Sequence, residues 1–367
     1  MKIKTAVATE QGAPLQIIDA ELDDPKANEV LVKIVASGIC HTDAEGQQAG
    51  LSPYPVALGH EGSGIVERVG SAVTTVQPGD HVVLSFSYDG VCSNCRSGHP
   101  GNCVNLNQLN FGGKAFDGTN RIHTTDGQAI STFFGQSSFA TYSVVDEHGV
   151  TKVPEDVDLA LLGPLGCGFQ TGAGTVLNFI KPEFGQSLVV FGAGAVGLAA
   201  IMAAKIAGVE HIIAVNRHDN RLVLAKELGA TAVINNQKED AVARIKELVP
   251  GGVDYTIDTT GASPVILDAI HALRPSGKCV LLGIGGPLEL NAMADIMAES
   301  KQLAGVIEGD AIPQLFIPKM VDYYRKGLFP FDKLVKFYDF KDIQQAFADS
   351  ASGEVVKPII RLSDVQA

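Results

Sequence analysis

From Glu29 to Ala36 apolar and polar residues alternate, and the run ends at Ser37-Gly38. That period of two predicts a half-buried strand. Gly62–Val69 reads as a second strand, and Val76-Gln77-Pro78-Gly79-Asp80 as a turn into the strand His81-Val82-Val83-Leu84. Short strands broken by turns continue to about residue 168, which predicts an antiparallel, barrel-like domain. Within it, 105–138 is rich in glycine and asparagine and reads as a long surface loop. The rhythm then changes. Leu188–Phe191, Ile212–Val215, Ala232–Ile234, Tyr255–Asp258 and Cys279–Gly283 read as strands, with helices over Val196–Ala207, Asp219–Leu228 and Pro264–Leu273. Strand alternating with helix predicts a doubly wound parallel sheet. From Ile312 the chain shows amphipathic helices, Pro318–Lys326 and Phe340–Ser350, and a closing strand, Lys357–Leu362. The expected organisation is α/β: a domain over 1–168, a parallel-sheet domain over 169–311, and a tail over 312–367 that returns to the first domain.

Composition narrows the function. The 367 residues are 46% hydrophobic and 19% charged, which excludes a mostly disordered chain. A net charge of −13 without any basic run makes nucleic acid and anionic membranes poor partners. Ser187–Ala204 carries no charge, but a strand, a glycine turn and a buried helix account for it better than a membrane span. Met1-Lys2-Ile3-Lys4-Thr5 leads into alternating residues and not into an apolar signal core. The expectation is a cytoplasmic protein. Six unevenly spaced cysteines in such a chain point to metal or catalysis before disulfides.

The first chemical motif is Gly192-Ala193-Gly194-Ala195-Val196-Gly197, between a predicted strand and a predicted helix. Gly192 permits a tight turn, Gly194 lets a pyrophosphate approach the backbone, and Gly197 lets the helix pack on the strand. The helix N-terminus then offers free N–H groups to phosphate. The second is Asp89-x-x-Cys92-x-x-Cys95-x7-Cys103, four ligands in one loop that can close a tetrahedron around a structural zinc. The third is scattered. Cys40, His60 and Cys167 together would make a zinc site with one open position. Taken singly each is an ordinary buried residue, and spacing alone does not bring them together.

These motifs resemble those of the zinc-dependent medium-chain alcohol dehydrogenases. The resemblance runs through Cys40-His41-Thr42-Asp43, Gly59-His60-Glu61, the 89–103 loop, the 192–197 turn and Gly353-Glu354 to Lys357, in family order. Chain length and Pro164-Leu165-Gly166-Cys167-Gly168-Phe169-Gln170-Thr171-Gly172 resemble the aryl (benzyl) alcohol dehydrogenase branch. The resemblance implies a GroES-like catalytic domain interrupted by a Rossmann domain, two zinc ions per subunit and NAD or NADP. It implies that Cys40, His60 and Cys167 hold the catalytic zinc, with Glu61 behind it and Asp43 on the outer nitrogen of His60. Thr42 would take the alcohol proton. His41 and Lys357 would face the coenzyme pyrophosphate, and Thr171 and Val196 would pack behind the nicotinamide. The implied chemistry is reversible oxidation of an alcohol to an aldehyde, with zinc as the Lewis acid and hydride passing to the coenzyme. A homodimer or homotetramer is expected.

Two positions depart from the family pattern. Asp89 stands for the first of four cysteines, and Glu45 stands where many relatives put a relay histidine. Ser85 occupies a place where ethanol-oxidising relatives carry a bulky aromatic, which implies aromatic or long allylic alcohols. Asn216 stands where NAD-specific domains place a carboxylate, with Arg217, His218 and Arg221 following, which implies use of NADP, alone or alongside NAD. The competing readings are a glutathione-dependent formaldehyde dehydrogenase, for which Lys114 and Arg121 are the available cations, and a non-catalytic dinucleotide- or zinc-binding protein.

Overall fold

The computed structural model describes residues 1–362, so the last five residues of the expected tail lie outside the described residues. The chain forms two compact units. One comprises 1–167, 312–323 and the chain from Phe331 onward, and the other comprises 168–311 with 324–330. The tail therefore does not return as one piece, because Phe329 is fully buried and packs edge-on against Phe169 of the second unit at 6.5 Å.

The first unit contains a closed barrel of five strands, in the order Lys2–Ala8, Gln16–Leu22, Ile122–Thr124, Ala129–Thr132 and Val56–Ala57. Ile3, Val7, Ala20, Leu22, Ile122 and Ile130 fill one of its apolar clusters. Beside the barrel lies a seven-stranded sheet, built around Glu29–Gly38. That strand pairs antiparallel with Glu61–Val69, and Gly38 stands opposite Glu61. It also pairs antiparallel with Lys357–Arg361, Ile359 opposite Gly38. Three remote parts of the sequence thus meet at one strand end. The expected surface loop over 105–138 is largely built into the core. It carries a helix, Leu106–Phe111, and two barrel strands, and Phe133, Phe134 and Asn110 are buried. Its glycines and asparagines supply turns between packed elements and not a free loop.

The second unit holds six parallel strands in the spatial order Ala232–Asn235, His211–Asn216, Ser187–Phe191, Val253–Asp258, Leu273–Leu281, Gln302–Gly305. The sequence order reverses beside Ser187–Phe191, the switch point outside which ligands of such sheets bind. The following helix, Ala195–Ala207, is buried over most of its length and ends at Gly208, whose φ of 77° suits a left-handed C-terminal stop. Among the described residues no helix is long and apolar enough to cross a membrane.

Candidate active site and coenzyme turn

The strand Glu29–Gly38 runs into Cys40, and a helix follows over His41–Gln48. Asp43, in its first turn, accepts a hydrogen bond from the Cys40 N–H through Oδ2 at 3.0 Å, which fixes the chain's entry into the helix. Its other oxygen, Oδ1, meets His60 Nδ1 at 2.9 Å and accepts from the Gly59 N–H at 3.0 Å. Asp43 and His60 are both fully buried. The carboxylate therefore fixes the ring and leaves Nε2 as the free end. That nitrogen is buried and has no hydrogen-bond partner in the protein. A buried polar atom without a partner costs about 1–3 kcal/mol, so its natural state is with a guest.

The donor atoms of Cys40, His60, Glu61 and Cys167 all lie within 4.8 Å of one another. Ligands about 2.0–2.3 Å from a tetrahedral zinc stand at comparable separations, so the set fits the metal. The electrostatics agree. A hydrogen bond with Cys167, then the charges of Lys357 and His60, hold the Cys40 thiol well below its ordinary value against the effect of burial. Burial alone would keep the His60 ring neutral, but the charge and hydrogen bond of Asp43, together with the neighbouring Cys40, outweigh it and raise the ring pKa well above the ordinary imidazole value. Thr42 Oγ1 lies 3.8 Å from Cys40 Sγ. Glu45 pairs with His41, Oε1 to Nε2 at 3.3 Å.

Lys357, which the resemblance set toward the coenzyme pyrophosphate, packs beside Glu61. It is 2% exposed, and its ammonium donates to both oxygens of Glu61 at 2.8 Å and to the Ile39 carbonyl at 3.0 Å. Burial works against its charge, yet Glu61 and Cys40 hold it above the ordinary lysine range. A carboxylate beside two thiols needs a local cation, and Lys357 supplies it. Ser85 also differs from expectation. It is fully buried, and its hydroxyl donates to the carbonyl of Gly166, the residue before Cys167, at 2.6 Å. It supports the Cys167 segment and has no exposed surface to offer a substrate.

Asp89, Cys92, Cys95 and Cys103 form a second group with donor atoms within 4.8 Å of one another. The backbone shapes it: Cys95 N–H points at Cys92 Sγ at 3.5 Å and Asp89 N–H at Cys103 Sγ at 3.4 Å. Burial opposes the Asp89 charge, but N–H groups of Cys92 and Val91 and the Asn105 amide hold its carboxyl well below the usual range. A carboxylate thus stands ionised beside three thiols, a donor set that zinc accepts.

In the second unit Gly192 has a φ of 99°, and a side chain there would strike Thr259 Oγ1. A Cβ on Gly197 would fall 1.9 Å from the Gly192 carbonyl, whereas one on Gly194 would meet nothing within 4 Å. The outer glycines are needed for the turn itself. The middle one faces open space, the cradle a pyrophosphate requires. Val196, in the first turn of the helix, is half-buried. Thr171 donates to Glu308 Oε2 at 3.4 Å. At the end of the second parallel strand, Asn216 Oδ1 accepts from the His218 N–H at 3.0 Å. Arg217 is exposed beside His218, and Arg221 is buried. Burial pulls the Arg221 guanidinium below its ordinary value. Of the two expected guanidinium groups, only Arg217 is presented to solvent.

Residues 26–155 match the alcohol dehydrogenase GroES-like domain, and residues 195–323 match the zinc-binding dehydrogenase family. The chain is 43% identical to a geraniol dehydrogenase of Castellaniella defragrans over 97% of both chains. The chain belongs to the zinc-dependent medium-chain alcohol dehydrogenases. Among solved structures it is similar to benzyl alcohol dehydrogenase of Acinetobacter calcoaceticus, at 44% identity and a TM-score of 0.94, covering 98% of this chain and 99% of that one. It is also 34% identical to an S-(hydroxymethyl)glutathione dehydrogenase of Paracoccus denitrificans, over 98% of this chain and all of that one. As a medium-chain alcohol dehydrogenase it is an oxidoreductase acting on CH–OH groups of small-molecule alcohols, with zinc and a nicotinamide dinucleotide as its cofactors.

Sequence reasoning missed Gln136 and Phe134, which lie in the presumed loop. The Phe134 ring stacks on His60 at 4.4 Å, and Phe133 meets it edge-on at 5.6 Å. The only signal was an uncharged run, Phe133-Phe134-Gly135-Gln136-Ser137-Ser138-Phe139, too apolar for a solvated loop.

Proposed function

We propose that this enzyme interconverts primary aromatic or long allylic alcohols and their aldehydes, using NAD and NADP. The observation that carries the reading is the buried, unpartnered Nε2 of His60 within a set of two thiols and a carboxylate. Cys40, His60 and Cys167 would hold the zinc of the reaction, and Asp89, Cys92, Cys95 and Cys103 a zinc that stiffens its loop. The catalytic zinc supplies Lewis acidity toward the alcohol or aldehyde oxygen. The chain's own residues do the rest. Asp43 keeps the His60 ring in one orientation and tautomer. Thr42 accepts the alcohol proton at Oγ1 and passes it on toward Glu45 and water. Lys357 balances Glu61, and Gly192, Gly194 and Gly197 with the following helix N-terminus receive the pyrophosphate, assisted by His41. Thr171 and Val196 back the nicotinamide.

Substrate size follows from the relatives named for geraniol and benzyl alcohol, and from the phenylalanines packed around His60. Each buried methylene contributes about 0.8 kcal/mol, so a ring or terpene chain should exceed ethanol by about 100-fold or more in kcat/KM. A panel of ethanol, benzyl alcohol and geraniol with each coenzyme checks this. Equal specificity constants for ethanol and benzyl alcohol would refute it. The glutathione-linked alternative has support from the Paracoccus relative, but Arg121 does not suit it. That guanidinium is 3% exposed and is held by Glu29 at 2.6 Å and by Asp117. Lys114 alone then remains of the two cations, and glutathione should not stimulate turnover.

For the coenzyme, the absent carboxylate at Asn216 removes the group that repels a 2′-phosphate, and exposed Arg217 can pair with one. Asp219 is already engaged by Lys238 at 2.6 Å and by Asn235. In the same panel, Asn216→Asp should lower efficiency with NADP more than with NAD, by about 1–3 kcal/mol. A strict NAD enzyme would sink this part and leave the zinc chemistry untouched. A second copy of the chain would pair along Gln302–Gly305, an edge strand with exposed Leu303, giving a homodimer or a dimer of dimers. Light scattering that finds a monomer would reject that assembly.

A further inference from the structure

Gln136 is 1% exposed and spends its whole amide on backbone near the candidate zinc site. Its Oε1 accepts from the Gly62 N–H at 3.3 Å, and its Nε2 donates to the carbonyls of His60 at 3.0 Å and Ser85 at 3.1 Å. The amide therefore brackets Glu61 from both sides along the strand. Ser85 in turn donates its hydroxyl to Gly166, beside Cys167. Two segments far apart in sequence, 60–62 and 166–167, are joined through one side chain and one serine.

The surrounding backbone is shaped to deliver this amide. Phe134, Gly135 and Ser137 all have positive φ, at 52°, 62° and 51°. Non-glycine residues in that region carry a conformational cost and persist only where the surroundings hold them. They are held here. The Ser137 hydroxyl donates to the Ala57 carbonyl at 2.7 Å and accepts from the Phe133 N–H at 2.9 Å. The Ser138 N–H donates to the Gly59 carbonyl at 2.9 Å, and its hydroxyl meets that of Ser37 at 2.8 Å. Phe134 lies flat on the His60 ring. This tight coil touches the backbone or ring of the His60 segment at several points, and none of its side chains is a metal ligand.

We infer that Gln136 is a positioning residue of the catalytic zinc, clamping the His60–Glu61 strand to the Cys167 segment so that the ligands stay at bonding separation. The inference rests on the reading that Cys40, His60 and Cys167 hold zinc. Groups that orient metal ligands commonly change metal affinity about 10–100-fold when removed. Gln136→Leu keeps the side chain's size and removes all three hydrogen bonds. Gln136→Glu keeps an acceptor and removes both donors.

The test is metal release from the two-zinc enzyme to a chromogenic chelator, with the ligand-field spectrum of cobalt(II) exchanged into the catalytic site. Gln136→Leu and Gln136→Glu should each release the catalytic metal about tenfold faster or more and alter the cobalt spectrum. The metal of the 89–103 loop should leave at its unmodified rate. Unchanged release with an unchanged spectrum in Gln136→Leu overturns the inference, as does equal acceleration at both sites. Should Gln136→Leu fail to fold, Ser85→Ala removes only the hydroxyl at the far end of the clamp. It should speed catalytic-metal release severalfold, and no change would overturn the inference. An unmodified enzyme that holds no metal at Cys40, His60 and Cys167 would instead reject the functional reading itself.

Discussion

Cys40→Ala is expected to abolish alcohol oxidation while leaving coenzyme binding within about twofold of the unmodified enzyme. The thiol is one of two in the candidate catalytic set, and the substitution leaves His60 and Cys167 as the remaining members of a three-ligand site. The glycine turn proposed to receive the dinucleotide belongs to the other unit of the chain, not to the one that holds Cys40. Metal content should fall from two zincs to one. Cys103→Ala should behave differently. It opens a set in which Asp89, Cys92 and Cys95 are the other donors, so stability should fall before chemistry does. Turnover, metal analysis and titration of NADH fluorescence on both variants check these outcomes. A metal-stripped Cys40→Ala protein that still turns over would end the catalytic-zinc assignment.

Lys357→Met is expected to produce the largest loss of stability of any single change at the site. Its ammonium is 2% exposed and lies between both oxygens of a fully buried Glu61 and the Ile39 carbonyl. Taking away one partner of a buried pair costs about 3–5 kcal/mol, because the other charge stays behind without water. Burial already pushes the Glu61 carboxyl above its ordinary value. Adding Glu61→Gln to Lys357→Met removes the stranded charge and should recover most of the loss. Guanidinium unfolding of the zinc-loaded single and double variants measures both effects. A loss below about 1 kcal/mol in Lys357→Met would mean the pair is solvated and the argument fails.

The sequence made local features legible and remote ones opaque. Cys92, Cys95 and Cys103 sit in one loop, so their spacing alone pointed to the donor cluster the structure shows. Gly192, Gly194 and Gly197 follow a strand and open a helix, a context short enough to read directly. Cys40, His60 and Cys167 come together only because Gly38 stands opposite Glu61 and Gly163–Gly166 packs on that strand, and no local pattern encodes such a register. Family resemblance supplied what periodicity could not. The hydrogen bonds of Lys357 and Ser85 were unreadable for a related reason. Their partners, Glu61 and the Gly166 carbonyl, are distant in sequence. The coil carrying Gln136 was misread because glycine and serine look like a loop whether solvent or a buried strand receives their hydrogen bonds.

The strand that carries Lys357 comes after the whole of the stretch 168–311, yet it pairs with Glu29–Gly38, which precedes that stretch. During synthesis the continuous stretch 168–311, the main part of the parallel-sheet unit, is made before the strand Lys357–Arg361. Until that strand is in place, Glu61 lacks the Lys357 ammonium and Gly38 lacks its partner Ile359. A chain stopped before residue 357 would therefore lack the cation that balances Glu61, whatever the state of its parallel sheet.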